Sequence, residues 1–236
     1  AAPAAAPAAA APAAAAAAVA KGPKFMTTSE AERHISKLWR QEGDLLRIIF
    51  PHLSASAFFL HVLAVPPSRF RPPSKVGDDV FAEDPSIRAL EARCAELMGH
   101  EAALFCPSGT MTNQIAIQVH TRPGDEVVCD RLAHIYNYEG GGIARNAGAS
   151  VRLLHGDRGR FSLDDCLGNI NPPDSHYART TLVAVEDTCN KGGGSVWNLA
   201  DLEALSKEVR ARGLAFHLDG ARAWNAFVAR GQWGDS

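Results

Sequence analysis

Charge imbalance is absent: 24 Lys+Arg stand against 26 Asp+Glu in 236 residues, for a formal net charge of −2 and a sequence pI near 6.5. Such a balance favours neither a nucleic-acid nor an anionic-membrane partner. Paired cysteines are lacking too. The five cysteines, at 94, 106, 129, 166 and 189, are odd in number and form no CxxC, which argues against a disulfide framework or a thiolate zinc site. A reducing compartment, the cytoplasm, is the expectation. No membrane segment is expected, because the longest apolar run, Ala57 to Val65, is broken by His61 and too short to span a bilayer. Neither a P-loop nor a GxGxxG pattern occurs, so a nucleotide site loses its main support. The N-terminus shows no basic, Leu-rich signal peptide.

What is present changes along the chain. Of the first 20 residues 16 are Ala and 3 are Pro, whereas 17 of the 20 glycines follow Gly77. Residues 1–24 read as a disordered Ala/Pro leader, because Pro3, Pro7 and Pro12 interrupt any helix and little apolar surface is available to bury. An amphipathic helix is expected over 26–50, then the apolar run AFFLHVLAV and the stiff segment PPSRFRPPSK.

From Asp79 the texture becomes regular. Strand-like runs recur at 103–106, 126–130, 150–155, 181–187 and 214–220, with helical patterns at about 109–121, 135–146, 163–169, 199–212 and 221–230. This alternation predicts an α/β fold with a mostly parallel sheet and helices on both faces. Ligands of such sheets bind beyond the carboxyl ends of the strands. Four features fall there. Ser108-Gly109-Thr110 opens a helix and either caps it or receives a phosphate. His134 lies just past a strand, beside Tyr136, Tyr138 and Glu139, as a structural histidine or a catalytic one. The loop TCNKGGG follows another strand, and Asp219-Gly220-Ala221-Arg222 a further one. Asp219 and Arg222 serve either as a helix cap and its partner or as ligands. Pyridoxal phosphate suits the set, since it needs an anion cradle, a flat stacking side chain and a carboxylate on its ring nitrogen.

The motifs GDDVFAEDPSIRALE, ALFCPSGTMTNQIA, RPGDEVVCDRLAHIYNYEGGG, SHYART, VEDTCNKGGG and HLDGARAWNA, spread over about 77–231, resemble the threonine aldolase family of pyridoxal-phosphate enzymes. The resemblance implies an aminotransferase-like fold type I large domain. It also implies an aldehyde-lyase that cleaves a β-hydroxy amino acid, threonine or allo-threonine, to glycine and an aldehyde, with a homo-oligomer as the working state. By motif, Ser108, Gly109 and Thr110 would cradle the phosphate and His134 would stack on the pyridine ring. Asp219 would bind its nitrogen, and Arg222 the phenolic oxygen and substrate carboxylate. His176, like His134, would be a candidate base near the substrate hydroxyl.

Four departures from the family pattern are read beside it. No lysine follows Lys207 where the family places its Schiff-base lysine, neither the family's C-terminal domain nor its N-terminal RSDTVT-like segment is expected in this sequence, and Cys189 stands where the family often has His. The expectation is therefore an incomplete domain over 78–236. Residues 25–78, with VPPSRFRPPS as the specific part, resemble a stretch of the largest subunit of RNA polymerase I. A chimeric or truncated, catalytically inactive chain, with residues 25–77 foreign to the fold, is the alternative reading.

Overall fold

The computed structural model describes residues 76–231. The Ala/Pro leader and nearly all of the polymerase-like segment lie outside these described residues.

Four parallel strands form the sheet: β1 (Glu126–Asp130), β2 (Ser150–Leu154), β3 (Thr180–Glu186) and β4 (Ala215–Asp219), in the order β2-β1-β3-β4. Around them run α1 (Pro85–Met98), α2 (Gly109–His120), α3 (His134–Asn137), α4 (Gly142–Ala147), α5 (Leu163–Gly168), α6 (Leu199–Ala211) and α7 (Ala223–Ala229). All five residues of β1 are buried, as expected for a strand covered on both faces. Its side chains alternate. Val127 and Cys129, with Leu182 and Ala184 of β3, meet Ile117, Ile135 and Ile143 from α2, α3 and α4. Val128, with Val183 and Val185, meets Cys166 of α5 and Leu202, Leu205 and Val209 of α6 on the other face. Helices on both faces are thus the observed arrangement. The chain leaves β1 for β2 across the first face and leaves β3 for β4 across the second, so the winding reverses between β1 and β3. Their carboxyl ends open the crevice where such sheets take ligands.

Three expectations change. The run 103–106 is not a strand: only Ala103 forms a bridge, Leu104 is exposed, and the Phe105 N–H donates to the Glu91 carboxylate at 2.8 Å. The helix expected over 135–146 breaks into α3, a 3-10 turn at Glu139–Gly141 and α4. Glu139, Gly140 and Gly141 adopt positive φ values of 68°, 62° and 68°, which no right-handed helix tolerates. Finally, α1 adds a helix before the one expected over 109–121. Asp84 caps it by accepting from Ser86 and Ile87 N–H at 2.8 and 2.9 Å, and Pro85 opens it.

Candidate functional site

His134 follows β1 by four residues, and its N–H donates to Glu186 Oε2 at the end of β3, 2.9 Å away. The crevice is therefore tied across at its floor. The His134 ring is about one-third exposed, with Nδ1 2.9 Å from Glu139 Oε1. The Glu139 side chain is fully buried; it also accepts Asn113 Nδ2 at 2.9 Å and Gln114 Nε2 at 2.6 Å. The same Asn113 nitrogen donates to Asp219 Oδ2 at 2.9 Å. Ligating atoms of His134, Glu139 and Asp219 accordingly lie within 4.8 Å of one another.

Asp219 ends β4 as a buried carboxylate. Besides Asn113 it holds the Ala221 N–H on Oδ1 at 3.2 Å, while its carbonyl accepts the Asp187 N–H and so joins the ends of β3 and β4. Glu186, buried alongside, has its carboxyl pushed above the ordinary range by burial, with the Asp219 charge acting in the same direction.

Asn113 comes from α2, whose first turn carries the Ser-Gly-Thr sequence. Ser108 is extended at φ −151° and its hydroxyl accepts the Met111 N–H at 3.2 Å, so it does cap the helix. Capping leaves the N–H groups of Gly109 and Thr110 without an acceptor among the described residues. Four or five residues separate this turn from Asn113, about 6–8 Å along the helix axis. An anion at the helix start and a cationic ring at Asp219 would therefore be neighbours. Arg222, exposed, lies three residues past Asp219 at the same edge and makes no ion pair among the described residues.

His176 is elsewhere. It precedes β3, at the amino edge of the sheet, exposed and bonded through Nδ1 to Asp174 at 2.7 Å. Seven residues of β3 at about 3.3 Å each put the two edges about 20 Å apart, so one chain does not bring His176 to His134. Asp174 and Tyr177 line a cavity of about 1030 Å³ at that amino edge. Lys191, by contrast, is at the carboxyl edge, 3.2 Å from Asn137 Oδ1 and 5.4 Å above the Tyr138 ring. Cys189 is buried with its thiol pushed up to about 11 by burial, hence uncharged.

The site also contains residues that sequence reasoning passed over: Asn113, Gln114 and His217, with Glu139 noted only as a neighbour of His134. Their signal was two adjacent amides inside an apolar helix and a histidine two residues before Asp219, on the same face of β4.

Comparison with known proteins shows the family and the fold. The family model described as beta-eliminating lyase matches residues 73–233. A low-specificity L-threonine aldolase of Escherichia coli K12 is 40% identical over 157 residues, covering 66% of this chain and 46% of that protein. One from Candida albicans is 36% identical over 160 residues, covering 66% of this chain and 42% of its own length. The chain thus spans about half the length of the curated relatives it matches. Among solved structures, one from Listeria monocytogenes, provisionally described as an L-allo-threonine aldolase, superposes with a TM-score of 0.52 at 22% identity. It covers 77% of this chain and 50% of that one, and shares the aminotransferase-like, type I α/β architecture.

Proposed function

The chain belongs to the beta-eliminating lyase family, and from that premise we propose that its carboxyl edge is the cofactor and substrate site of a threonine aldolase-type lyase. The reaction is cleavage of a β-hydroxy amino acid, threonine or allo-threonine, to glycine and an aldehyde. The observation that carries the reading is the buried Asp219 carboxylate held by Asn113 within reach of His134 and Glu139.

The family's enzymes depend on pyridoxal phosphate. The residues here suit that group: two unpaired N–H groups and two hydroxyls from Ser108, Gly109 and Thr110 form an anion cradle at the positive end of a 12-residue helix. Asp219 keeps lone pairs beyond those used by Asn113 and Ala221, enough to accept a ring N–H. When bound, the cofactor supplies an electron sink for the bond that breaks.

Every other part falls to the chain. Asp219, a buried side chain, would accept the hydrogen bond of the ring nitrogen. The third-exposed imidazole of His134 would stack on the cofactor ring. With Nδ1–H donated to Glu139, Nε2 would carry the lone pair that accepts the proton of the substrate β-hydroxyl. Arg222 meets the substrate carboxylate in forked geometry. His176 joins such a site only from a second copy of the chain.

The test is a titration of the full chain with pyridoxal phosphate, followed by absorbance and fluorescence. Saturable binding is expected, weakened at least about tenfold by Asp219→Asn, the loss of one charge-assisted hydrogen bond. Borohydride reduction should leave Lys191 unmodified, since Asn137 and the Tyr138 ring already hold it. Absence of binding, or equal affinity in Asp219→Asn, would overturn the assignment.

A further inference from the structure

His217 lies two residues before Asp219 on β4, so both side chains leave the same face of the strand. Its Nε2 is 2.9 Å from Asn113 Oδ1. The nitrogen of that amide is 2.9 Å from both Glu139 Oε1 and Asp219 Oδ2. Turned the other way, the amide would set its oxygen against two carboxylates and lose two charge-assisted hydrogen bonds. The amide nitrogen therefore faces the acids and the oxygen faces His217, which must donate. An imidazole that donates from Nε2 and is neutral carries its only ring proton there.

We propose that His217, acting through Asn113, is a positioning residue that holds the Asp219 and Glu139 carboxylates side by side in the orientation the cofactor and His134 need. This rests on the reading of the carboxyl edge as the cofactor site. The logic is a chain of single-valued bonds. His217 donates to the amide oxygen, and the amide then has both hydrogens committed, one to each acid. Glu139, so oriented, meets His134 Nδ1, and Asp219 keeps its remaining lone pairs for a ligand. Without the donor at 217 the amide is free to rotate, and acid and base lose their alignment together. The groups that act on His217 favour a neutral donor at pH 7. Burial pushes it down to about 4, His120 on α2 pushes the same way, and the Asp219 charge opposes both.

The experiment uses the full chain with four replacements. His217→Gln keeps an N–H at the Nε2 position, His217→Leu removes it, His217→Asn carries an amide too short to reach, and Asp219→Asn gauges the site itself. Pyridoxal-phosphate affinity is read by fluorescence, and the ring protonation of His217 by nitrogen–proton NMR of the cofactor-free chain at pH 7. Expected are a neutral Nε2–H ring, affinity within about threefold for Gln, and at least about tenfold loss for Leu and Asn alike. Should the Leu variant fail to fold, the Gln–Asn pair and the NMR of the parent chain still decide. An Nδ1–H or charged ring, or equal losses in Gln and Asn with Asp219→Asn weak, would overturn the relay alone. Parent-like affinity in Asp219→Asn would instead overturn the site reading, and this role with it, even with the ring protonated as expected.

Discussion

Asn113 is neutral, yet its amide nitrogen stands between Glu139 and Asp219 at 2.9 Å from each, with His217 behind the oxygen. A pH dependence of stability follows from that last partner. His217 is pushed from the ordinary 6.5 down to about 4, so between those values the unfolded chain binds a proton that the folded chain does not. Stability attributable to this group is whole above 6.5 and falls as pH drops toward 4. His100 and His120 are also shifted down by burial and contribute in the same direction, so replacement isolates the part due to His217. Denaturant midpoints measured from pH 7.5 to 4.5 should fall less steeply in His217→Gln than in the parent, and parallel curves would contradict the assignment. None of this was legible from composition. A histidine in a strand advertises neither its proton nor its partner, and the partner lies 104 residues away.

Two loops show how glycine and capping chemistry shape the elements around the site. The turn after β2 packs against the loop after β3, where Arg158 donates from Nε to the Gly192 carbonyl at 2.8 Å and Ser195 donates to the Arg158 carbonyl. Gly159, in the middle, has φ 89°, and a Cβ there would collide with the Cys189 side chain. Left-handed backbone and overpacking act together, so Gly159→Ala should cost about 2–4 kcal/mol in urea unfolding. A change below about 0.5 kcal/mol would show that the two loops separate readily. Helix α1 depends on a different device. Hydrogen bonds from the Ile87, Gly77 and Ser86 N–H groups hold the Asp84 carboxyl below its usual 3.8 despite opposing desolvation. The stabilisation it gives is present above that value and lost as pH falls through the lowered one. Asp84→Ala should lower the thermal midpoint at pH 7, and its difference from the parent should shrink in acid. A constant gap across pH would mean that the carboxylate charge is not what caps the helix.

For the molecule as a whole, the separation of His134 and His176 to opposite edges of one sheet bears on assembly. With Tyr136 and Tyr138 exposed at one edge and Tyr177 at the other, apolar surface is available at both. If His176 serves the reaction, it does so across a contact between copies, and the full chain should self-associate. Light scattering over a concentration series measures this: masses above one chain are expected, and a single-chain mass at every concentration would remove His176 from the proposed chemistry.

The strand–helix alternation and the motifs after each strand determined the parallel sheet. In doing so they assigned His134, Asp219 and Arg222 to one edge, because every residue that follows a parallel strand emerges on the same side; Ser108 follows no strand and belongs with them through α2, whose Asn113 meets Asp219. By that rule the place of His176 was equally legible: it precedes its strand. Local signals failed where local partners did not decide the outcome. The run 103–106 is apolar enough for a strand, yet the Phe105 donor goes to Glu91. The helix expected at 135–146 breaks because three successive residues turn left-handed, one of them Glu139, whose side chain thereby enters the site. Only the tertiary structure decided the polar pairings. Asn113 meets Asp219 across 106 residues of sequence because α2 lies over the ends of β3 and β4, and no periodicity encodes a hydrogen bond of that reach. Sequence patterns report which face a side chain must bury. Which acceptor a buried donor finds is settled when the elements pack, since an unpaired one would carry the full cost of its lost water.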